Sequence, residues 1–198
     1  MESGAYRPGQ DEYPVQFSVE YPDRDLNRLT TAFRIIVAIP ILIVMAAIQG
    51  GILFFPALLM IVFRQKYPRW WYDWNLELSR FQSRVGVFLG LLDDRYPSTD
   101  ERQSVSLELP YPDAKQGLNR WLPLVKWFLA IPHYIVLIFL GLAAIVCVII
   151  AWFAILFTGR YPRGLFDFVV GVMRWGNRVS AYAFVLVTDR YPPFRLSP

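Results

Sequence analysis

The chain has 198 residues, of which 55% are hydrophobic, 17% are aromatic and only 18% are charged, and its formal net charge is +4. An average soluble domain carries roughly 25% charged residues, so this composition argues against a soluble globular protein. The modest positive charge is better explained by membrane topology and anionic lipid headgroups than by nucleic-acid binding.

The first predicted element is a short strand. Its alternating apolar positions are Val15, Phe17, Val19 and Tyr21, and a period of two is typical of a strand. Pro22 ends it, because proline donates no ladder hydrogen bond. A similar stretch recurs later in the chain, at Val105, Leu107 and Leu109. Because an isolated strand is marginal, we expect the two strands to pair with each other outside the membrane.

An amphipathic helix follows, with apolar residues at helical spacing over residues 26–37. Proline is expected to end or kink this helix at Pro40, and its counterpart at Pro132. Long apolar segments come next, at residues 41–63 and 133–157. At about 1.5 Å per residue, each is long enough to cross a bilayer. We therefore predict one interfacial helix and one membrane-spanning helix in each half of the chain.

The chain then turns at a tyrosine-proline-arginine motif and returns as a second helix, over residues 73–92 and 167–187. Each return helix carries two arginines near its middle, spaced i and i+4. An arginine at the bilayer centre costs about 2.5–3.5 kcal/mol, so a spanning helix needs acidic partners for them. The alternative is a half-immersed, monotopic helix. The predicted intramembrane charge cluster consists of Asp73, Glu77, Arg80, Arg84, Asp167, Arg174 and Arg178.

Matching motifs occur in the same order in the two halves. "VEYPDRDLNRL" resembles "LPYPDAKQGLNRW", "FRQKYPR" resembles "FTGRYPR", and "DDRYP" matches "TDRYP". The offset drifts only from 90 to 95 residues, which indicates two tandem copies of one unit. The predicted boundaries are an N-terminal tail (1–14), membrane repeat 1 (15–98), a linker (99–103), membrane repeat 2 (104–194) and a C-terminal tail (195–198).

The fold class that follows is an all-α integral membrane protein with about four transmembrane helices, two interfacial helices and a short strand pair. Lysines and arginines number eleven on the side of the termini and five in the two turns, which favours cytoplasmic termini in a multi-pass protein. Tryptophan is enriched at membrane interfaces. The expected interface anchors are Trp70, Trp71, Trp74, Trp121 and Trp127.

The segments "LAIPHYIVLIFL" and "AWFAILFTGRYPRGLFDFVVGVMRWGNRVSAYAFVLVTDRYPPF" resemble the bacterial membrane family catalogued as domain of unknown function 4389. The second repeat matches closely and the first more loosely. Where the second repeat has His133, Gly159 and Arg160, the first has Ile41, Gln65 and Lys66. The resemblance implies a bacterial multi-span membrane protein and supplies no catalytic residues. The predicted location is the bacterial inner (cytoplasmic) membrane.

Two local features have a chemical and a structural interpretation. Arginine forks suit phosphate, so Arg69, Arg160 and Arg163 at the turns could contact lipid headgroups, although plain interfacial anchoring is favoured. The spacing of a nucleotide-binding P-loop is missing. His133 is the only histidine. It could relay protons or bind haem iron, but no second ligand is evident, so we favour packing.

No Ser/His/Asp set, metal-ligand cluster or dinucleotide fingerprint occurs in the sequence, so no catalytic, cofactor or metal-binding residue is predicted and an enzyme is not expected. The predicted function is a non-catalytic scaffold or accessory subunit of a larger bacterial membrane assembly. Its expected partners are the lipid bilayer, including anionic headgroups, and other membrane subunits or further copies of the chain. The alternative is a small transporter, channel or lipid-binding membrane protein that uses the paired arginines.

Overall fold

The computed structural model describes residues 13–48, 54–99, 101 and 103–198. Most of the predicted N-terminal tail, the centre of the first predicted span (49–53) and two positions of the predicted linker (100 and 102) lie outside the described residues. The described chain is mostly helical and contains one two-stranded sheet.

The elements follow one another in a similar order in the two halves. The first half contains β1 (Gln16–Val19), α1 (Arg28–Ala32), α2 (Arg34–Ile48), α3 (Phe54–Arg64) and α4 (Arg69–Leu89). The second contains β2 (Val105–Glu108), α5 (Pro123–Leu129), α6 (Ile131–Thr158) and α7 (Arg163–Ser180), which continues into one turn of π-helix (Ala181–Val185).

The two predicted strands pair with each other, which confirms the expected pairing. They are antiparallel, with Phe17 opposite Leu107 and Ser18 opposite Ser106. Phe17 and Leu107 are buried, whereas Ser18 and Ser106 are exposed. The sheet therefore has an apolar inner face and a polar outer face, as antiparallel sheets do when one face meets water.

The break between the first two helices of each half precedes the proline. α1 ends at Ala32 with Phe33 as its C-cap, and α5 ends at Leu129 with Ala130 as its C-cap. Pro40 lies inside α2, so it does not end that helix, and Pro132 lies in the first turn of α6. Proline is well tolerated in a first turn, because the amide hydrogen it lacks would have no intrahelical partner there.

α6 is the one helix among the described residues that is long and apolar enough to cross a membrane, by length and composition alone. It contains 28 residues and no charged side chain. α2 and α3 are apolar but shorter, and the residues between them belong to the part that is not described. The return helices α4 and α7 do not reach the same apolar content.

Elements of the two halves pack across each other. α4 packs on β2 and α7 on β1, while α1 packs on α6 and α3 on α5. α7 also packs along α6, and α4 contacts α2. The largest group of buried side chains joins Phe17 and Leu107 of the sheet to Phe166 and Val170 of α7 and Ile155 of α6. The core therefore lies between the sheet and the apolar helices.

A broad set of large apolar side chains remains exposed on the helices. α6 buries one stripe, which includes Ala151 and Ile155, and exposes most of its other apolar residues. We call the exposed set the apolar surface. It comprises Ile36, Ile39, Ile43, Phe55, Leu59, Phe63, Val125, Phe128, Ile138, Phe139, Leu142, Ile145, Val146, Ile150 and Phe157.

Candidate functional site

The first arginine of each return helix is bound to a backbone carbonyl of the sheet. Arg80 Nε donates to the Leu107 carbonyl oxygen at 3.0 Å, and Arg174 Nε donates to the Phe17 carbonyl oxygen at 2.9 Å. Leu107 and Phe17 face each other across the sheet. The two contacts therefore have the same form, and each fastens a return helix to the strand of the other half.

The second arginine of each pair binds the extended segment that closes its half. Arg84 Nη1 donates to the Ser98 carbonyl oxygen at 2.5 Å, and Arg178 Nη1 donates to the Ser197 carbonyl oxygen at 3.0 Å. Arg178 is fully buried. Charged donors form strong hydrogen bonds, so these arginines stabilise the fold. The sequence had instead suggested that they belong to an intramembrane charge cluster.

The carboxylates of the predicted charge cluster pair differently from the expectation. Asp73 binds Arg69 at 3.1 Å and Asp167 binds Arg163 at 3.6 Å, each an exposed i,i+4 pair. They do not form the expected ion pairs with the arginines seven residues later. Glu77, in contrast, binds Arg80 at 2.7 Å. Each aspartate pairs with the arginine four residues before it, because side chains one turn apart are neighbours on a helix surface.

The turn arginines are likewise engaged with protein groups. Arg160 pairs with Asp25 at 3.2 Å. The Arg163 guanidinium stacks on the Tyr21 ring at 4.4 Å, and Arg69 lies 4.9 Å from the Tyr111 ring. These contacts agree with a structural role for the turns and leave the predicted headgroup contacts without specific support.

Tyrosines that precede proline make long-range contacts that sequence reasoning missed. Tyr21 donates its hydroxyl to the Tyr161 carbonyl oxygen at 2.5 Å, and Tyr111 donates to the Tyr67 carbonyl oxygen at 2.7 Å. Tyr67 itself donates to the Val185 carbonyl oxygen at 2.7 Å. Burial raises the pKa of Tyr67, which keeps its hydroxyl protonated as a donor. The recurrence of tyrosine-proline pairs in the sequence is the pattern that could have indicated these contacts.

A glycine permits the turn between α6 and α7. Gly159 has a φ of +78° and ends α6, and its carbonyl oxygen accepts from the Leu26 amide at 2.8 Å. A Cβ at this position would lie 3.3 Å from the Asp25 side chain. Gln65, at the end of α3, adopts the same left-handed conformation with a φ of +46°, which is less favourable for a residue with a side chain.

A buried lysine lies in α5. Lys126 is fully buried, and its Nζ binds the Thr188 carbonyl oxygen at 2.7 Å and the Asp189 carboxylate at 2.6 Å. Burial lowers the pKa of Lys126, while the hydrogen bond to Asp189 acts in the opposite direction. The ion pair neutralises this buried cation.

A buried arginine at the start of α2 lies at the position that matches Lys126 in the predicted repeats, but its partners are different. Arg34 is 3% exposed, and its Nη1 donates to the Asp93 carbonyl oxygen at 2.9 Å. The carboxylates of Asp93 and Asp94 are bound by Arg24 instead. Nε and Nη2 of Arg34 have no hydrogen-bond partner within the described ranges. Sequence reasoning did not identify Arg34, because the amphipathic pattern over residues 26–37 placed it outside the apolar face of the predicted helix.

Four of the five predicted tryptophan anchors are well exposed. Trp70, Trp74, Trp121 and Trp127 are 49–67% exposed, whereas Trp71 is half-buried and packs against the main core. Exposed indoles beside an apolar surface are compatible with the predicted anchoring role.

His133 is a packing residue in this structure. It is fully buried, its Nδ1 accepts from Trp175 Nε1 at 3.1 Å, and its ring stacks on Phe194 at 4.0 Å. Within the described ranges, no group of three or more His, Cys, Asp or Glu residues could hold a metal ion.

Residues 121–195 match the family described as "Domain of unknown function (DUF4389)". The match confirms the resemblance for one copy, which covers most of the second predicted repeat. No curated protein and no solved structure matches the chain.

Proposed function

We propose that the chain is a non-catalytic membrane protein that embeds the apolar surface in one face of a bilayer, keeps the sheet in water, and serves as a scaffold or accessory subunit. The apolar surface is the observation that carries the proposal. Exposed apolar patches larger than a few hundred Å² typically mark membrane or protein interaction sites. Exposed residues such as Phe139 and Leu142 lie on α6, a helix without a single charge.

The packing favours an embedded layer over four membrane crossings. An extended segment accompanies α7 along its length, since Tyr21 binds near the start of α7, Phe17 binds Arg174 and Tyr13 binds the Arg190 carbonyl oxygen. α7 in turn packs along α6. If α6 crossed the bilayer, the polar face of the sheet would lie at hydrocarbon depth, where open strand edges do not occur unless protein or water covers them.

We also propose that residues 15–98 and 104–194 are two copies of one unit. The support comes from contacts of the same form at matching positions: the Arg80 and Arg174 bonds to strand carbonyls, and the Tyr21 and Tyr111 bonds to the turns. Leu91 and Leu186 add to this, because both have left-handed backbones, with φ of +62° and +61°.

A scaffold role has more support than an internal path along the arginines. Arg80, Arg84, Arg174 and Arg178 all donate to backbone carbonyls, so their charge is used to fasten segments together. The polar outer face of the sheet remains available to partner subunits on the water side. The bacterial cytoplasmic membrane stays a prediction.

Cysteine labelling tests the embedded arrangement. In a Cys147→Ala background, single cysteines replace Ser106 in the sheet, Lys66 and Gly164 at the two turns, and Leu142 on the apolar surface. A membrane-impermeant maleimide is applied to right-side-out and inside-out vesicles. We expect Ser106→Cys, Lys66→Cys and Gly164→Cys to react from the same side, because the turns contact the segments that flank the sheet.

Two results would contradict the proposal. Labelling of the turns from the side opposite to Ser106→Cys would support four crossings. Labelling of Leu142→Cys as fast as Ser106→Cys without detergent would place the apolar surface outside the bilayer. Gly164→Cys is a mild change, because a Cβ at Gly164 meets nothing within 4 Å.

A further inference from the structure

We propose that a groove beside Arg34 binds one anionic glycerophospholipid of the bilayer, with an acyl chain in the groove and the phosphate at the Arg34 end. The Arg34 groove lies between the α1–α2 junction, the end of α4 and the C-terminal half of α6, and its volume is about 380 Å³. Ligand sites typically measure about 300–1,000 Å³. This inference rests on the proposed membrane location and adds a specific ligand to it.

The walls of the Arg34 groove suit a hydrocarbon chain. Leu89, Val148 and Phe153 line it, together with Trp152. The one polar atom of the Trp152 ring is already used, because Nε1 donates to the Thr31 carbonyl oxygen at 3.0 Å. An acyl chain would therefore meet apolar surface along the wall without leaving this donor unsatisfied.

The Arg34 end of the groove holds unused polar groups. Arg34 and Thr31 both line the groove and are buried. Nε and Nη2 of Arg34 and the Thr31 hydroxyl have no hydrogen-bond partner in the part of the chain that the structure describes. The Phe88 ring covers the guanidinium face at 4.1 Å, which leaves the in-plane N–H groups unsatisfied. Two such donors can bind two oxygens of one phosphate, which is the bidentate geometry that arginine favours.

The Arg34 guanidinium has no carboxylate bound to it among the described residues. Asp93 and Asp94 pair with Arg24 and Arg95 instead, and Arg34 reaches only the Asp93 backbone carbonyl. A buried cation is stable only when its charge is paired, and an anionic headgroup would supply that partner.

The matching position in the second half has its own acidic partner. Lys126 is paired with Asp189, whereas Arg34 has no carboxylate bound to it among the described residues. Phe184, which precedes Asp189 by five residues as Leu89 precedes Asp94, packs its ring against Phe54 at 6.3 Å and Tyr134 at 6.0 Å. The second half therefore has a larger ring where Leu89 borders the Arg34 groove in the first.

The test measures lipid retention by the full chain. The protein is purified in mild detergent, stripped of loosely bound lipid, and titrated with phosphatidylglycerol or phosphatidylcholine of identical acyl chains under native mass spectrometry. We expect one retained phosphatidylglycerol and at least about a tenfold preference for it over phosphatidylcholine, the size of one charged hydrogen bond. Leu89→Phe should close the groove and remove this lipid, and Arg34→Met should remove the preference.

Matched controls separate the groove from general effects. Leu142→Phe adds the same kind of ring on the exposed part of α6 outside the groove, and Lys126→Met removes the buried cation at the matching position of the second half. Both should retain the phosphatidylglycerol. If Arg34→Met does not fold, Leu89→Phe still tests the proposal, because it leaves all charges in place.

Several outcomes would overturn the inference. These are equal retention of phosphatidylcholine, retention by Leu89→Phe at the wild-type level, or binding of oleate but not of phosphatidylglycerol, which would indicate a free fatty-acid site. Retention of a protein partner in place of lipid would also overturn it. Failure here leaves the membrane proposal intact, since that proposal is judged by the labelling of Ser106→Cys and Leu142→Cys in vesicles.

Discussion

At the scale of single residues, buried arginine hydrogen bonds to backbone carbonyls hold the extended segments in place. Arg178 is the clearest example, because it is fully buried and binds the Ser197 carbonyl oxygen. We expect Arg178→Met to lower the free energy of unfolding by roughly 1–3 kcal/mol, since the carbonyl loses a charged donor. Thermal unfolding in detergent, followed by circular dichroism, would measure the loss.

Arg160→Met is the matched control for that change. Arg160 and Asp25 form an exposed ion pair at 3.2 Å, and such pairs contribute at most about 1 kcal/mol. Equal destabilisation by the two substitutions would contradict a special role for the buried arginine.

The Arg24–Asp94 pair predicts sensitivity to acid. The hydrogen bond from Arg24 holds the pKa of Asp94 below its ordinary value of 3.8. A depressed folded-state pKa stabilises the protein above pH 3.8, and this contribution is lost as the pH falls through the lower folded-state value. We expect Asp94→Asn to be less stable than wild type at pH 7 and to lose less stability between pH 5 and 3, as measured by unfolding at each pH.

Asp73→Asn serves as the comparison for the acid experiment. The Asp73 side chain is 52% exposed and pairs only along its own helix with Arg69. We therefore expect the stability of Asp73→Asn to fall between pH 5 and 3 as much as that of the wild type. A steeper acid dependence for Asp94→Asn than for wild type would contradict the predicted sign.

The identities of these partners could not be predicted from the sequence. The two arginines and the aspartate of each return helix were found from their spacing, but Asp73 and Asp167 each had two arginines within reach on the same face. Arg80 and Arg174 bind carbonyl groups, which every residue carries, so no side-chain pattern marks Leu107 or Phe17 as their acceptors.

At the scale of elements, the sheet joins strands that are far apart in the chain. Ser18 and Ser106 lie directly opposite each other on its exposed face. Opposed residues in antiparallel pairs have Cα atoms about 4.5–5.5 Å apart, within the range that a disulfide needs. In a Cys147→Ala background, we expect Ser18→Cys with Ser106→Cys to oxidise quantitatively, as seen by a mobility shift without reductant.

A second pair tests the register of the sheet. Glu20 lies just past the end of β1, two residues beyond Ser18, so Glu20→Cys with Ser106→Cys should cross-link far more slowly. Equal rates for the two pairs would mean that the strands do not hold the observed register.

Periodicity predicted the strands and the order of helices because it reflects which face of an element is buried. It could not place the helix break, since the residues at the break, Phe33 and Ala130, are neither glycine nor proline. It also could not reveal the π-helical turn at Ala181–Val185. That turn falls where the offset between matching residues changes from 94 (Arg84 and Arg178) to 95 (Leu91 and Leu186), so one extra residue is accommodated within the helix.

At the scale of the whole molecule, the two halves depend on each other. α4 packs on the strand of the second half, and α7 packs on the strand of the first. We expect residues 1–98 expressed alone to aggregate or be degraded, and residues 1–98 and 99–198 expressed together to co-purify at equal stoichiometry. Size-exclusion chromatography in detergent would measure both results, and a monodisperse, helical first half on its own would contradict the prediction.

The crossed packing also sets the timing of folding during synthesis. β1 leaves the ribosome before β2, which begins at Val105, and at about 5–20 residues per second the wait is roughly 5–20 s. During this interval α2 and α3 are already made, but the second-half elements that cover β1 and α1 are not. In the proposed membrane location, a bilayer or an insertase would receive these nascent apolar helices and prevent their aggregation before their partners exist.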